Sequence, residues 1–172
     1  MNNEVILLTG EKQSGKTTFL EKWVEGRKDT AGILSPVRDD KRLFYDIKKK
    51  EYFEMESGDE TIPGLAVGRY SFSAVAFDRV NNLLLGAVKD KTINYLVIDE
   101  IGPLETEQQK GLYLAFTSIL AYRFWSLLIV VVRPSLTEKV CRLIAAYNKK
   151  AVVMTVNDLA EFLETGVSKT GS

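Results

Sequence analysis

The sequence predicts an α/β protein in three layers, with a mostly parallel sheet and helices on both faces. Two observations lead to this prediction. Short apolar runs, typical of buried strands, alternate along the chain with segments of helical periodicity. The first of these strands, 5–8, breaks at a glycine-containing turn that leads directly into a helical pattern. The 172 residues fit one domain, expected over 1–166, with a frayed tail over 167–172.

The elements follow from periodicity and from turn residues. Buried strands are predicted over 5–8, 32–37, 65–72, 94–98, 127–132 and 151–156. Two β-prone runs, 42–48 and 51–56, predict a small β-hairpin insertion after the second strand. Helices are predicted over 17–25, 74–89, 108–124, 136–147 and 157–164. Ser73 resembles an N-cap for the second of them.

The turn after the first strand matches the phosphate-binding pattern G-x-x-x-x-G-K-[ST] in full. Glycines allow the backbone to approach an anion closely, and the following helix adds free N–H groups. Lys16 is predicted to place its charge on the β- and γ-phosphates, and the Thr17 hydroxyl to ligate Mg²⁺. The predicted nucleotide-binding residues are Gly10, Glu11, Lys12, Gln13, Ser14, Gly15, Lys16, Thr17 and Thr18.

A second motif lies in the other half of the chain, where the apolar strand 94–98 runs into Asp99-Glu100. A carboxylate at the end of a buried strand beside a phosphate loop is placed to hold Mg²⁺, and Asp99 is predicted to do so. Successive strand side chains point to opposite sides. Glu100 is therefore predicted to act separately, as the base that orients or deprotonates an attacking water.

Several other polar residues have both a functional and a structural interpretation. Arg133 ends a strand expected beside the loop strand, so it either stabilises charge on the γ-phosphate or is a solvated residue before a Pro turn. Arg38 carries the same ambiguity. For Arg69-Tyr70, a surface arginine beside a packed tyrosine is a better interpretation than a contact with substrate or base. Asn157-Asp158 is a candidate base contact and equally a helix N-cap.

Composition excludes several classes of site. Lys+Arg and Asp+Glu both number 23, so the zero net charge gives no electrostatic indication of nucleic-acid or membrane binding. There is no histidine, which excludes a histidine metal site, a histidine base and a Ser-His-Asp triad. The single cysteine, Cys141, allows no internal disulfide and is predicted to be a buried structural thiol. The first strand begins so early that no signal peptide is expected, and we expect a cytoplasmic protein.

With both motifs in hand, the chain resembles the THEP1-type nucleoside-triphosphatase family, in the ASCE division of the P-loop NTPases. The resemblance rests on the loop 9–18, on Gly32 to Arg38 with Arg42-Leu43-Phe44, and on Val67-Gly68-Arg69-Tyr70. The run Val97-Ile98-Asp99-Glu100-Ile101-Gly102-Pro103-Leu104-Glu105 is the most selective, since it resembles the signature x-x-D-E-I-G-x-M-E. Ser35-Pro36 and the missing glycine before Phe44 depart from the family pattern.

The resemblance implies a RecA-like P-loop NTPase fold and Mg²⁺-dependent hydrolysis of ATP, GTP and other triphosphates to diphosphates. It implies Lys16 on phosphate, Thr17 and Asp99 on the metal, and Glu100 as the base. Two other functions remain open from the residues alone. A small-molecule kinase shares the loop and the Mg²⁺ chemistry but usually has an arginine-rich lid, and none is obvious in this sequence. A nucleotide-dependent switch or partner-binding module would hydrolyse negligibly by itself.

Overall fold

The computed structural model describes residues 4–57, 64–68, 70–122 and 126–166. Strands and helices alternate along most of these residues, and the stretch 30–72 contains six strands in succession. The strands are β1 (Glu4–Leu8), β2 (Thr30–Leu34), β3 (Val37–Arg38), β4 (Lys41–Asp46), β5 (Glu51–Glu54), β6 (Leu65–Val67), β7 (Tyr70–Phe72), β8 (Tyr95–Ile101), β9 (Leu127–Val132) and β10 (Lys150–Met154). The helices are α1 (Lys16–Val24), α2 (Ala74–Ala87), α3 (Pro103–Thr106), α4 (Tyr113–Ala121), α5 (Thr137–Ala146) and α6 (Val156–Thr165).

The main sheet has the strand order β10-β1-β9-β8-β2-β4-β3, with β5 also paired to β4. The pairs β10–β1, β1–β9, β9–β8 and β8–β2 are all parallel. Their carboxyl ends therefore meet at one edge of the sheet, which is where loops of α/β sheets bind ligands. The antiparallel strands β4, β3 and β5 extend the sheet beyond β2.

The core forms two apolar layers, one on each face of the sheet, because successive residues of a buried strand point to opposite faces. Val5 and Leu7 of β1 pack in the layer covered by α2, α4 and α5. Ile6 and Leu8 pack in the layer covered by α1 and α6. This arrangement confirms the predicted three-layer α/β class. Among the described residues, no helix is long and apolar enough to cross a membrane.

The predicted hairpin insertion is present as β4 and β5, which pair antiparallel. The single strand predicted over 65–72 is wrong, because β6 and β7 fold back on each other as a second, separate hairpin. Gly68 lies in the turn between them with φ of 55°, a left-handed conformation that glycine tolerates. Arg69 lies outside the described residues.

Other boundaries also differ from the prediction. The helix predicted over 108–124 begins at Tyr113, because Gln109 and Gly111 have positive φ angles that break the helical backbone before it. The second strand ends at Leu34 instead of continuing to residue 37. Val37 and Arg38 form β3 and pair with the start of β4. The tail 167–172 lies outside the described residues.

Candidate functional site

The predicted phosphate loop connects β1 to α1 at the carboxyl edge of the sheet. Gly15 occupies the N-cap position of α1 in the left-handed conformation, with φ 83° and ψ 16°, and supplies no side-chain cap. The first N–H groups of a helix have no intrahelical partner. Those at the start of α1 are therefore available to an anion, and the side chains of residues 11–15 are exposed around them.

The Lys16 side chain folds back over this loop. Its ammonium donates hydrogen bonds to the carbonyl oxygens of Gly10, at 2.6 Å, and Glu11, at 2.9 Å, and to Ser14 Oγ at 3.1 Å. The residue is only 9% exposed, which is unusual for lysine. The loop thus holds a positive charge among its own carbonyls, at the place where the motif predicts phosphate.

Thr17 and Asp99 join the two predicted motifs directly. The Thr17 hydroxyl donates a 2.8 Å hydrogen bond to Asp99 Oδ2, across 82 residues of sequence. The carboxylate is 2% exposed. Burial raises the pKa of Asp99 to about 6, although the hydrogen bond from Thr17 lowers it. Thr18, the last predicted loop residue, is exposed.

Ser35 also contacts Asp99, a role that no local sequence pattern indicates. Its backbone N–H donates to Asp99 Oδ2 at 3.3 Å, and its hydroxyl donates to the Asp99 carbonyl oxygen. Ser35 follows β2, which lies next to β8 in the sheet. Only the strand order could have indicated this contact. Ser35 stands at a place where the chain departs from the pattern of the family it resembles.

Glu100 and Arg133 form an ion pair at the same edge. Arg133 donates to Glu100 Oε1 at 3.3 Å, and the two side chains are 47% and 27% exposed. Arg133 follows β9, which lies between β1 and β8, as predicted for a strand beside the loop strand. Asp99 and Glu100 thus contact different partners, which agrees with the alternation of strand side chains.

Three other residues named from the sequence have structural contacts or surroundings of their own. Arg38 pairs with Glu21 on α1 and is exposed. Asp158 accepts hydrogen bonds from the backbone N–H and the hydroxyl of Thr155 in a capping box, so it is part of the N-cap of α6. Cys141 is half-buried, and burial raises the pKa of its thiol.

A buried carboxylate, Glu105, lies just beyond the strand end that carries Asp99 and Glu100. It is 4% exposed. Burial raises the pKa of Glu105 to about 7, although hydrogen bonds from the backbone N–H groups of Leu112 and Gly102 lower it. In the sequence, Glu105 belongs only to a motif and has no role of its own.

The oxygens of Thr17 and Asp99 are hard donors of the kind that Mg²⁺ prefers. Within the described part of the chain, no group of three or more Asp, Glu or Cys side chains is arranged to hold a metal ion. An ion held by Thr17 and Asp99 would therefore take its other ligands from water and from a bound phosphate.

The sheet order, the loop between β1 and α1 and the two covering layers define a P-loop NTPase-like α/β fold. The chain belongs to the NTPase family, whose sequence profile matches residues 5–161. It is thus an enzyme of a nucleoside-triphosphatase family, which confirms the resemblance drawn from the motifs.

Two solved structures share this fold. The crystal structure of THEP1 from the hyperthermophile Aquifex aeolicus is similar, with a TM-score of 0.65 and 19% identity over 95% of this chain and 96% of that one. The solution structure of a human cancer-related nucleoside triphosphatase has a TM-score of 0.66 and 15% identity, over 98% of this chain and 100% of that one. No curated protein matches the chain significantly in sequence.

Proposed function

We propose that the protein is a Mg²⁺-dependent nucleoside-triphosphatase that hydrolyses ATP, GTP and other triphosphates to the diphosphate and phosphate. The observation that carries the proposal is the 2.8 Å hydrogen bond between Thr17 and Asp99. It joins the predicted phosphate loop, which follows β1, to the acidic end of β8, although β9 lies between these two strands in the sheet. Membership of the NTPase family supports the same activity.

The loop supplies the binding of the triphosphate. N–H groups at the start of α1 receive phosphate oxygens, and the Lys16 ammonium exchanges its contacts with the Gly10 and Glu11 carbonyls for the β- and γ-phosphates. Because Lys16 already lies within the loop, little reorganisation accompanies this exchange. Thr17 and Asp99 would hold the metal. Mg²⁺ bound there would neutralise negative charge on the phosphates.

Glu100 acts on the attacking water. The carboxylate accepts a proton from the water while the water oxygen bonds to the γ-phosphorus. The bond between that phosphorus and the oxygen that links it to the β-phosphate breaks, and the diphosphate is released. The hydrogen bond from Arg133 occupies one site on Oε1, and a carboxylate has about four acceptor sites, so water can bind the others. Arg133, which follows the strand next to β1, stabilises charge that develops on the γ-phosphoryl group.

The test is phosphate release by the purified protein with Mg²⁺ and each of ATP, GTP, CTP and UTP. Glu100→Gln should retain Mg²⁺–ADP binding and lose at least about a hundredfold in kcat, since a general base contributes roughly 10²–10⁴-fold. Lys16→Ala should lose binding as well. Arg142→Ala, which removes an exposed ion pair within α5, is the matched control for loss of a surface charge.

Hydrolysis of several triphosphates that Glu100→Gln abolishes, with binding retained, is the expected result. Tight binding without phosphate release from the wild type would contradict the proposal. Activity that appears only with an added acceptor would then indicate a kinase, and activity that appears only with a protein partner would indicate a switch.

A further inference from the structure

Glu105 holds the segment that follows the proposed base. Its Oε2 accepts the backbone N–H of Gly102 at 2.9 Å, and its Oε1 accepts that of Leu112 at 3.0 Å. Both hydrogen bonds are buried. The first satisfies the N-cap N–H of the short helix α3 with the side chain of its third residue, and the second reaches beyond that helix to the start of α4. One carboxylate thus closes the segment 102–112 at both of its ends.

Neighbouring residues fit closely around this carboxylate. A Cβ added to Gly111 would lie 2.3 Å from Glu105 Oε1, so only glycine leaves room there. Asn81 on α2 donates to the Gly111 carbonyl at 2.9 Å and accepts the Ala115 N–H at 3.0 Å. The position of Glu105 is therefore fixed by two helices of one core layer.

The strand end that carries Glu100 lacks regular ladder pairing. The β2–β8 register ends with Ile33 opposite Ile98. On the other side, the β8–β9 register shifts between Asp99 and Ile101, so Glu100 has no opposite residue in β9. Arg133 contacts the Glu100 side chain. The backbone on either side of Glu100 is held where Thr17 and Ser35 bind Asp99, and where Glu105 binds Gly102.

Gly102 is the direct link between the two carboxylates. A Cβ placed on it would lie 3.8 Å from Glu100 Oε1 and 3.8 Å from Glu105 Oε2. Gly102 is buried, and its N–H is held by Glu105. A displacement of Glu105 therefore moves the backbone two residues after Glu100.

We infer that Glu105 is a positioning residue for Glu100. By holding the Gly102 N–H, Glu105 keeps the Glu100 carboxylate in position to act on the attacking water. The inference rests on the proposed hydrolysis. A displacement of about 1 Å at a reacting group costs roughly a hundredfold in rate. Loss of the Glu105 contacts should therefore lower kcat, while the phosphate loop, Thr17 and Asp99 continue to bind nucleotide.

The test compares Glu105→Gln with Asp46→Asn. Asp46 is also a buried carboxylate that accepts two backbone N–H groups, those of Lys48 and Lys49 at 3.0 Å. It is the last residue of β4, a strand that β2 separates from β8, and Lys48 of the turn that follows pairs with Asp90 ahead of β8. Each amide substitution keeps the side-chain size and weakens the contacts with backbone N–H donors.

Three quantities are measured for each protein: kcat and KM for ATP with Mg²⁺, the Kd of Mg²⁺–ADP by calorimetry, and stability by denaturant unfolding. Glu105→Gln should lower kcat by about 10- to 100-fold, with KM and Kd within about twofold of wild type. Asp46→Asn should lose about as much stability as Glu105→Gln does, and its kcat should stay within about twofold of the wild-type value. Gly111→Ala, which displaces Glu105 from the other end, should reproduce the fall in kcat and serves if Glu105→Gln does not fold.

A folded Glu105→Gln or Gly111→Ala protein with kcat within about twofold of wild type would overturn the inference. So would an equal fall in kcat in Asp46→Asn, which would show a general effect of lost stability. If the wild type itself binds ATP without releasing phosphate, the proposed function is overturned and the inference falls with it. The wild-type measurement separates these two failures.

Discussion

Replacing Gly32 with alanine should unfold much of the sheet that carries the site. Gly32 lies in β2 opposite Val97 of β8, with φ of 119°, a conformation that alanine rarely adopts. A Cβ there would lie 2.0 Å from the Val97 carbonyl oxygen and 2.7 Å from the Val97 nitrogen. A carbon–oxygen contact needs about 3.3 Å, so two central strands would have to separate by more than about 1 Å.

We expect a loss of at least about 3 kcal/mol in the free energy of unfolding, because backbone strain adds to the broken pairing. The assay is guanidinium unfolding followed by far-UV circular dichroism. Gly86→Ala is the matched control. Gly86 is exposed in α2 with no atom within 4 Å of an added Cβ, so alanine should stabilise the protein by about 0.5–1 kcal/mol.

A Gly32→Ala protein within about 1 kcal/mol of wild type would refute the close approach of β2 and β8. If Gly86→Ala is destabilised to the same extent as Gly32→Ala, the effect belongs to glycine substitution in general and the packing argument fails.

Three further predictions concern the site. Arg133→Ala removes an exposed ion pair, so the free energy of unfolding should change by less than about 1 kcal/mol, while kcat for ATP should fall at least about tenfold; an unchanged kcat would leave Arg133 without a part in the reaction. Ser35→Ala loses the hydroxyl contact with the Asp99 carbonyl, which should weaken Mg²⁺–ADP binding by about threefold to tenfold in calorimetry, and unaltered binding would contradict that role. The pKa of Glu105 is raised in the folded protein from the ordinary 4.5 to about 7, so the folded state binds this proton more tightly and stability should fall as pH rises from about 4.5 to 7. At about 1.4 kcal/mol per pH unit, the loss of stability is on the order of 3 kcal/mol. Unfolding measured across this pH range should depend less on pH in Glu105→Gln than in the wild type. Parallel curves for the two proteins would refute the assignment of this pH dependence to Glu105.

Local patterns predicted most of the elements. The strand β9 spans 127–132, as its apolar run predicts, and Ser73 caps α2 by accepting the Ala76 N–H. These signals are local, since periodicity and capping depend on residues only a few positions apart. The prediction failed where backbone conformation interrupts a pattern. Gly68 divides one apolar stretch into β6 and β7, and Gln109 and Gly111 delay the start of α4.

The sequence alone identifies the loop, the acidic strand end and the fold class, because each depends on residues close together in the chain. It named Lys16, Thr17, Asp99 and Glu100, whose roles stay predictions. The folded structure shows that Thr17 reaches Asp99 across β9, and it brings Ser35 to Asp99 and Glu105 to Gly102. These contacts are not visible in the pattern, because central parallel strands are buried on both faces and share the same apolar character.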